Sequence, residues 1–157
     1  MGERANALAD TAQKTYDDFA SSIQGLPDAQ WRGTCASEGW TAAATARHVA
    51  QSLPFGLSMA RAIADRQPLP PITLDSRDER NAQHAKEHAN CSKEEVLGLL
   101  RQHAPTVVAA IKGMSDEQLD RSARFEAMGS DLSTQQAIER ILIGHSGMHM
   151  GSIKAAS

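Results

Sequence analysis

Apolar positions recur at helical intervals along almost the whole chain. The first stripe, Leu8, Ala12, Thr15/Tyr16, Phe19 and Ile23, has the spacing of an amphipathic helix over residues 3–24. Gly25-Leu26-Pro27 ends it. A loop carrying Trp31 leads to Gly39-Trp40-Thr41, where Thr41 is suited to cap a second helix from Ala42 to about Asp65. Pro54 lies inside that helix and is expected to kink it or break it near Leu53. Pro68, Pro70 and Pro71 mark an extended connection. Four Ser-x-x-Glu/Gln capping signatures follow. Ser76 with Glu79 predicts a short helix to about Ala89, and Ser92 with Glu95 a long one to about Lys112. Ser115 with Gln118 predicts one or two turns, and Ser133 with Gln136 a last helix to about Ala155. No alternating strand pattern competes. The result is four long helices with a crossover over residues 66–91 between the second and third. So long a connection permits a parallel step, and the expected fold is an all-α, up-down-down-up four-helix bundle.

Composition agrees with this picture. A length of 157 residues fits one domain. Apolar residues make up 41% but aromatics only 4%. The core must therefore come from Ala, Leu, Ile, Val and Met, which suits helices. The net charge of −3 is well mixed, and no basic run argues for nucleic acid. Cys35 and Cys91 lack metal-ligand spacing and read as free thiols. The polar N-terminus is no signal peptide, and no apolar run matches a membrane span. A soluble cytoplasmic protein is expected, with no membrane partner.

The candidate chemistry lies in the histidines. His145 and His149 stand four residues apart in IGHSGMHMGS. On a helical wheel Ile138, Ile141, Leu142, Met148, His149 and Ser152 fall within about 60° of His145. The pair thus continues an inward stripe. His48, with Thr41, Ala44, Thr45, Ser52, Phe55, Met59 and Ile63 around it, also faces inward on the second helix. If the two helices pack antiparallel, three imidazoles meet at one end of the bundle. Three neutral imidazoles plus an open position form a catalytic zinc arrangement, and a His pair at i, i+4 is the usual way to supply two ligands. Core histidines satisfied by hydrogen bonds are the alternative. Such ligands must be neutral, so metal affinity is expected to fall below about pH 6.5.

His84 and His88 lie roughly opposite the Ala82, Ala85, Ala89 face and are assigned to the surface. His103 shares a stripe with Val96, Leu100 and Val107 and reads as a core residue. Gly144, Gly147 and Gly151 share one face of the last helix, which is expected to be a close helix–helix seam, within the chain or between subunits. Cys35 has no base at a recognisable spacing and reads as a buried or loop thiol. No carboxylate stands where it would identify a general base.

GWTAAATARHVAQS, DERNAQHA, SKEEVLGLLRQ, DEQLDR and ERILIGHSGMHMGSIKAA together resemble the DinB-like superfamily, over about residues 16–155. The resemblance implies the same up-down-down-up bundle and commonly a homodimer. It implies a divalent metal, zinc or nickel, on one histidine of the second long helix and two of the fourth. By motif these are His48, His145 and His149. Relatives include bacillithiol-dependent S-transferases and a mycothiol-dependent maleylpyruvate isomerase. The implied function is a metal-dependent enzyme of thiol S-transferase or hydrolase type, acting on a small molecule such as a low-molecular-weight thiol. A non-catalytic metal- or small-ligand-binding module is the alternative. Family members often carry Gln three residues after the last histidine, where this chain has Ser152. Asn81 sits in a recurrent family stretch without an assigned role.

Overall fold

A computed structural model describes residues 2–157. The helices are α1 (Glu3–Gly25), α2 (Asp28–Trp31), α3 (Ala42–Ala64), α4 (Leu74–Glu87), α5 (Lys93–Lys112) and α6 (Asp116–Asp120). A hairpin of β1 (Ser122–Phe125) and β2 (Ser130–Ser133) follows. The last rod consists of α7 (Thr134–Ala137), a π-helical stretch over Ile138–Gly144, and α8 (His145–Lys154).

Hydrogen bonds between elements give the helix directions. The Lys93 ammonium at the start of α5 donates to the Leu26 carbonyl just past α1, so these two run antiparallel. Arg47 near the start of α3 pairs with Glu95 near the start of α5 at 3.0 Å, so these run parallel. Arg4 bonds Gln135 at one end of the bundle, and Gln30 bonds the Lys154 carbonyl at the other. The first and last helices therefore also run parallel, which gives the up-down-down-up order. The core is aliphatic, with Ile23, Leu53, Ile63, Ile111, Leu119, Ile138, Leu142 and Ile153 all at 2% exposure or less.

The predicted caps at Thr41, Ser92, Ser115 and Ser133 are present, each side-chain oxygen accepting a backbone N–H three residues on. The remaining boundary differs. Thr73 caps α4, with Ser76 as the reciprocal partner, so α4 starts earlier than the Ser76–Glu79 signature predicts. Threonine and serine complete a capping box as serine and glutamate do, and two overlapping signatures compete there. Trp31 closes the one-turn helix α2 rather than lying in a loop. Pro54 does not break α3. It sits on the exposed face, while Leu53, Gly56 and Leu57 are buried beside it and hold the helix through the missing N–H. The hairpin was invisible to periodicity because each strand has only four residues. Its connection ends on Gly129, whose φ of +64° is costly for other residues. Among the described residues no helix is long and apolar enough to cross a membrane.

The π-helical stretch lies immediately before His145. One of its carbonyls also accepts side-chain donors. Leu142 O accepts the Tyr16 hydroxyl at 3.0 Å and the Ser146 hydroxyl at 3.2 Å. At Gly144 a Cβ would lie 3.0 Å from Glu139 O, so the wide turn itself leaves little room for a side chain.

The expected glycine seam is not present within the chain. Nothing lies within 4 Å of a Cβ built on Gly147 or Gly151. The close approach is on α3, where a Cβ on Gly56 would meet Leu142 Cδ2 at 2.7 Å and Ile141 Cγ2 at 3.2 Å. Gly147→Ala should therefore stabilise the chain by ~0.5–1 kcal/mol, as on an open helix. Gly56→Ala should destabilise it by ~1–3 kcal/mol through overpacking. Urea denaturation of both variants checks the pair, and a destabilised Gly147→Ala would mean that a neighbour covers that face.

Candidate metal centre

Two helix segments bring the histidines together. His48 lies in the second turn of α3, whose N-terminus is fixed by the Thr41 cap. Thr41 also donates to the Ala89 carbonyl at 2.7 Å, which ties this end of α3 to the residues after α4. His145 and His149 are one turn apart on α8, on the same face. Because α3 and α8 run antiparallel, the three rings converge. His145 Nε2 lies 3.1 Å from His48 Nε2 and 3.1 Å from His149 Nε2. One nitrogen from each ring lies within 4.8 Å of the other two.

Donors at about 2.1 Å from one tetrahedral ion stand roughly 3.4 Å apart. The observed separations are close to that. A hydrogen-bonded trio explains them less well. A neutral imidazole has one N–H and one lone pair. His149 Nδ1 lies 3.7 Å from the Glu38 carboxylate, which favours the proton on Nδ1. The lone pair of His149 Nε2 then faces the other two rings. His145 Nε2 carries at most one proton and has two nitrogen neighbours. The cluster could hold a metal ion, and a cation satisfies all three lone pairs at once.

Burial keeps these rings neutral. It is the largest cause pushing His48 down to about 3 and His145 down to about 4, with the neighbouring histidines and Arg77 adding to it. His149 is also lowered by burial, while Glu38 pulls it back upward.

The walls come from elements that sequence periodicity did not assign to the site. Trp40 stacks on His149, with ring centroids 6.5 Å apart, and meets His48 edge-on at 5.4 Å. The loop before α3 holds Trp40 and Glu38 in place. Cys35 N donates to Trp40 O at 2.8 Å, Gly39 N to Cys35 O at 2.8 Å, and Gly39 adopts a φ of +74°. Glu38 accepts the Ser152 hydroxyl at 2.9 Å. Its side chain is only 10% exposed.

His84 is not a surface residue. It is 8% exposed, its Nε2 lies 3.1 Å from Arg47, and its ring centroid is 6.1 Å from that of His48. Helix α4 lays His84 and Ala85 against the start of α3 and leaves Ala82 exposed. Three alanines define too weak an apolar face to orient a helix when a cationic neighbour, Arg47, offers the imidazole a partner. Burial lowers His84 to about 4. His88 is partly buried beside it. His103 is partly buried and lines a groove of about 500 Å³ with Leu57, Arg61 and Val107, a groove that contains none of the three clustered histidines. Met148, expected inward, is 59% exposed at the edge of the predicted sector. Phe55, likewise expected inward beside His48, is 39% exposed. Neither cysteine is an activated thiolate. Burial raises Cys35, and raises Cys91 to about 11.

A family model described as the DinB superfamily matches residues 11–153. Among curated proteins none matches the chain in sequence. In three dimensions the chain is similar to YfiT from Bacillus subtilis, described as a probable metal-dependent hydrolase with an unusual four-helix bundle topology. That match has a TM-score of 0.79 at 15% identity and covers 99% of this chain and 87% of the other. A protein from Clostridium difficile 630 matches with a TM-score of 0.71 at 15% identity, over 99% and 96% of the two chains. A mycothiol-dependent maleylpyruvate isomerase matches with a TM-score of 0.74 at 11% identity, over 100% of this chain and 65% of that one.

Proposed function

Because this chain belongs to the DinB superfamily, we propose that it is a metal-dependent enzyme, of thiol S-transferase or hydrolase type, acting on a small molecule. The observation that carries the reading is the convergence of three imidazole rings, with His145 Nε2 3.1 Å from the Nε2 of both His48 and His149. His48, His145 and His149 would hold zinc or nickel, since an all-imidazole set suits either ion. Such an ion supplies Lewis acidity at an open fourth position and lowers the pKa of a water or thiol placed there.

The chain's own residues do the rest. The buried imidazoles stay neutral and available as donors at neutral pH. Trp40 forms one wall, offering an apolar face beside His149. Both cysteines are protonated and buried or partly buried, so a transferred thiol would come from the substrate rather than from the protein.

A specific observation favours the second reading, a non-catalytic metal- or small-ligand-binding module. The buried carboxylate nearest the trio, Glu38, faces the outer nitrogen of His149 rather than the Nε2 cluster. Assays on zinc- and nickel-loaded protein separate the two, using low-molecular-weight thiols with an electrophile and, in parallel, activated esters. The enzyme reading expects turnover that disappears on chelation and in His145→Ala, and returns when the metal is restored. Loaded protein that turns over neither class of substrate would leave the module reading standing.

A further inference from the structure

We propose that Glu38 is the positioning residue of the histidine trio: its carboxylate, 3.7 Å from His149 Nδ1, keeps the proton on that nitrogen and so turns the ring's Nε2 lone pair toward His48 and His145. This rests on the metal reading above and adds a residue to it.

Two buried polar atoms lack a hydrogen-bond partner on this side of the site, His149 Nδ1 and Glu38 Oε2. They belong to side chains already in register, with Nδ1 3.7 Å from Glu38 Oε1. The carboxylate is held from the other side, since the Ser152 hydroxyl donates to Oε1 at 2.9 Å. Ser152 follows His149 by three residues on α8, so helix geometry places both side chains on one face toward the loop. That loop is closed by the paired backbone of Cys35 and Trp40. Its far side is anchored to the chain end, where Thr34 N donates to Ser157 O at 3.0 Å. Glu38 is thus fixed by backbone on one side and by Ser152 on the other.

A buried carboxylate with only neutral donors is costly unless a positive charge compensates it. None of its close partners is a lysine or arginine. A divalent cation beyond His149 would supply that charge, relayed through the ring. Conversely, the carboxylate selects one tautomer and one ring orientation and makes Nε2 a better donor. Ser152 is the second member of this relay, since its hydroxyl holds the carboxylate in place.

The test is a zinc titration of tag-free apoprotein against a chelating indicator, with ring-nitrogen NMR of the loaded protein. Glu38→Ala should weaken zinc binding by about ten- to a hundredfold. Glu38→Gln, whose amide oxygen can still accept the Nδ1–H, should recover part of that loss. The His149 Nδ1–H resonance should be visible in the wild type and shift in both variants, while apoprotein melting temperatures do not fall in parallel. A merely structural Glu38 would move the melting temperatures and leave the resonance alone. Glu38→Ala binding zinc within twofold of wild type overturns the proposal. If that variant does not fold, an unchanged Nδ1–H resonance in Glu38→Gln overturns it instead. Wild type that binds zinc while His145→Ala does not, with Glu38→Ala equal to wild type, removes Glu38 alone. Wild type that binds no zinc overturns both this assignment and the metal reading.

Discussion

Zinc or nickel in large excess should raise the melting temperature of the wild-type chain by about 10 °C, and His145→Ala should abolish the rise. An ion that binds only the folded state stabilises it by about 4 kcal/mol at a thousandfold excess over its dissociation constant. For a chain of this size each kcal/mol moves the melting temperature by about 2–4 °C. His145 is the right residue to remove because its Nε2 stands between the other two, 3.1 Å from each. Its loss leaves His48 and His149 as an incomplete pair. His84→Ala is the control. His84 is buried and close to His48, yet its Nε2 faces Arg47, and the metal-dependent rise should survive its removal even if the apoprotein is less stable. Differential scanning calorimetry with and without metal reads all three proteins. Equal losses in both variants would show that the ligand set has been drawn wrongly.

The apoprotein should lose stability steeply between pH 6.5 and 5. The direction follows from the buried histidines. In the unfolded chain each protonates near pH 6.5, whereas in the fold His48 is held down to about 3 and His145 down to about 4. Below pH 6.5 the unfolded state therefore takes up protons that the folded state refuses. Stability is fully present above that pH and is lost as the pH falls toward the folded values. Each histidine contributes a slope of about 1.4 kcal/mol per pH unit, so the two together remove ~4 kcal/mol by pH 5. That is a large part of the 5–15 kcal/mol typical of a domain. His84, lowered for the same reason, acts in the same direction. Urea midpoints at pH 7, 6 and 5 measure the slope, which His48→Ala should make shallower. A flat profile would mean that the rings are solvated and protonate normally. The same burial moves proton competition for the metal to lower pH than the 6.5 expected of free imidazoles.

The residues of the cluster were legible in the sequence, and what surrounds them was not. Helical periodicity and the caps at Thr41, Ser92, Ser115 and Ser133 locate the long helices, because both signals are local. The inward phase of His48, His145 and His149 follows from the same wheels. The hairpin escaped because four-residue strands carry too few alternations to register. His84 escaped because the orientation of α4 is decided by tertiary partners, chiefly Arg47, rather than by its own apolar content. Glu38 escaped because its position depends on a loop conformation, with Gly39 in the left-handed region. One cue was present. Ser152 falls on the inward stripe of the last helix, where a hydroxyl shielded from water seeks a partner. That partner is Glu38.

The π-helical stretch helps to aim these donors. It ends at Gly144, directly before His145, and its carbonyl at Leu142 accepts the Tyr16 hydroxyl from α1. The first helix is thereby tied to the turn that sets where α8 begins, and hence to the direction in which His145 and His149 point. The site thus depends on contacts from α1, the Glu38 loop and α4, besides the two helices that carry its donors.

In the proposed centre His48, from one helix, and His145 and His149, from another, grip a common cation. Elemental analysis of protein purified without a histidine tag, beside the His48→Ala variant, tests it most directly. Wild type should carry close to one zinc or nickel per chain, and the variant little or none. Wild type and variant carrying the same metal content, or wild type that takes up none even when supplied with either ion, would contradict it.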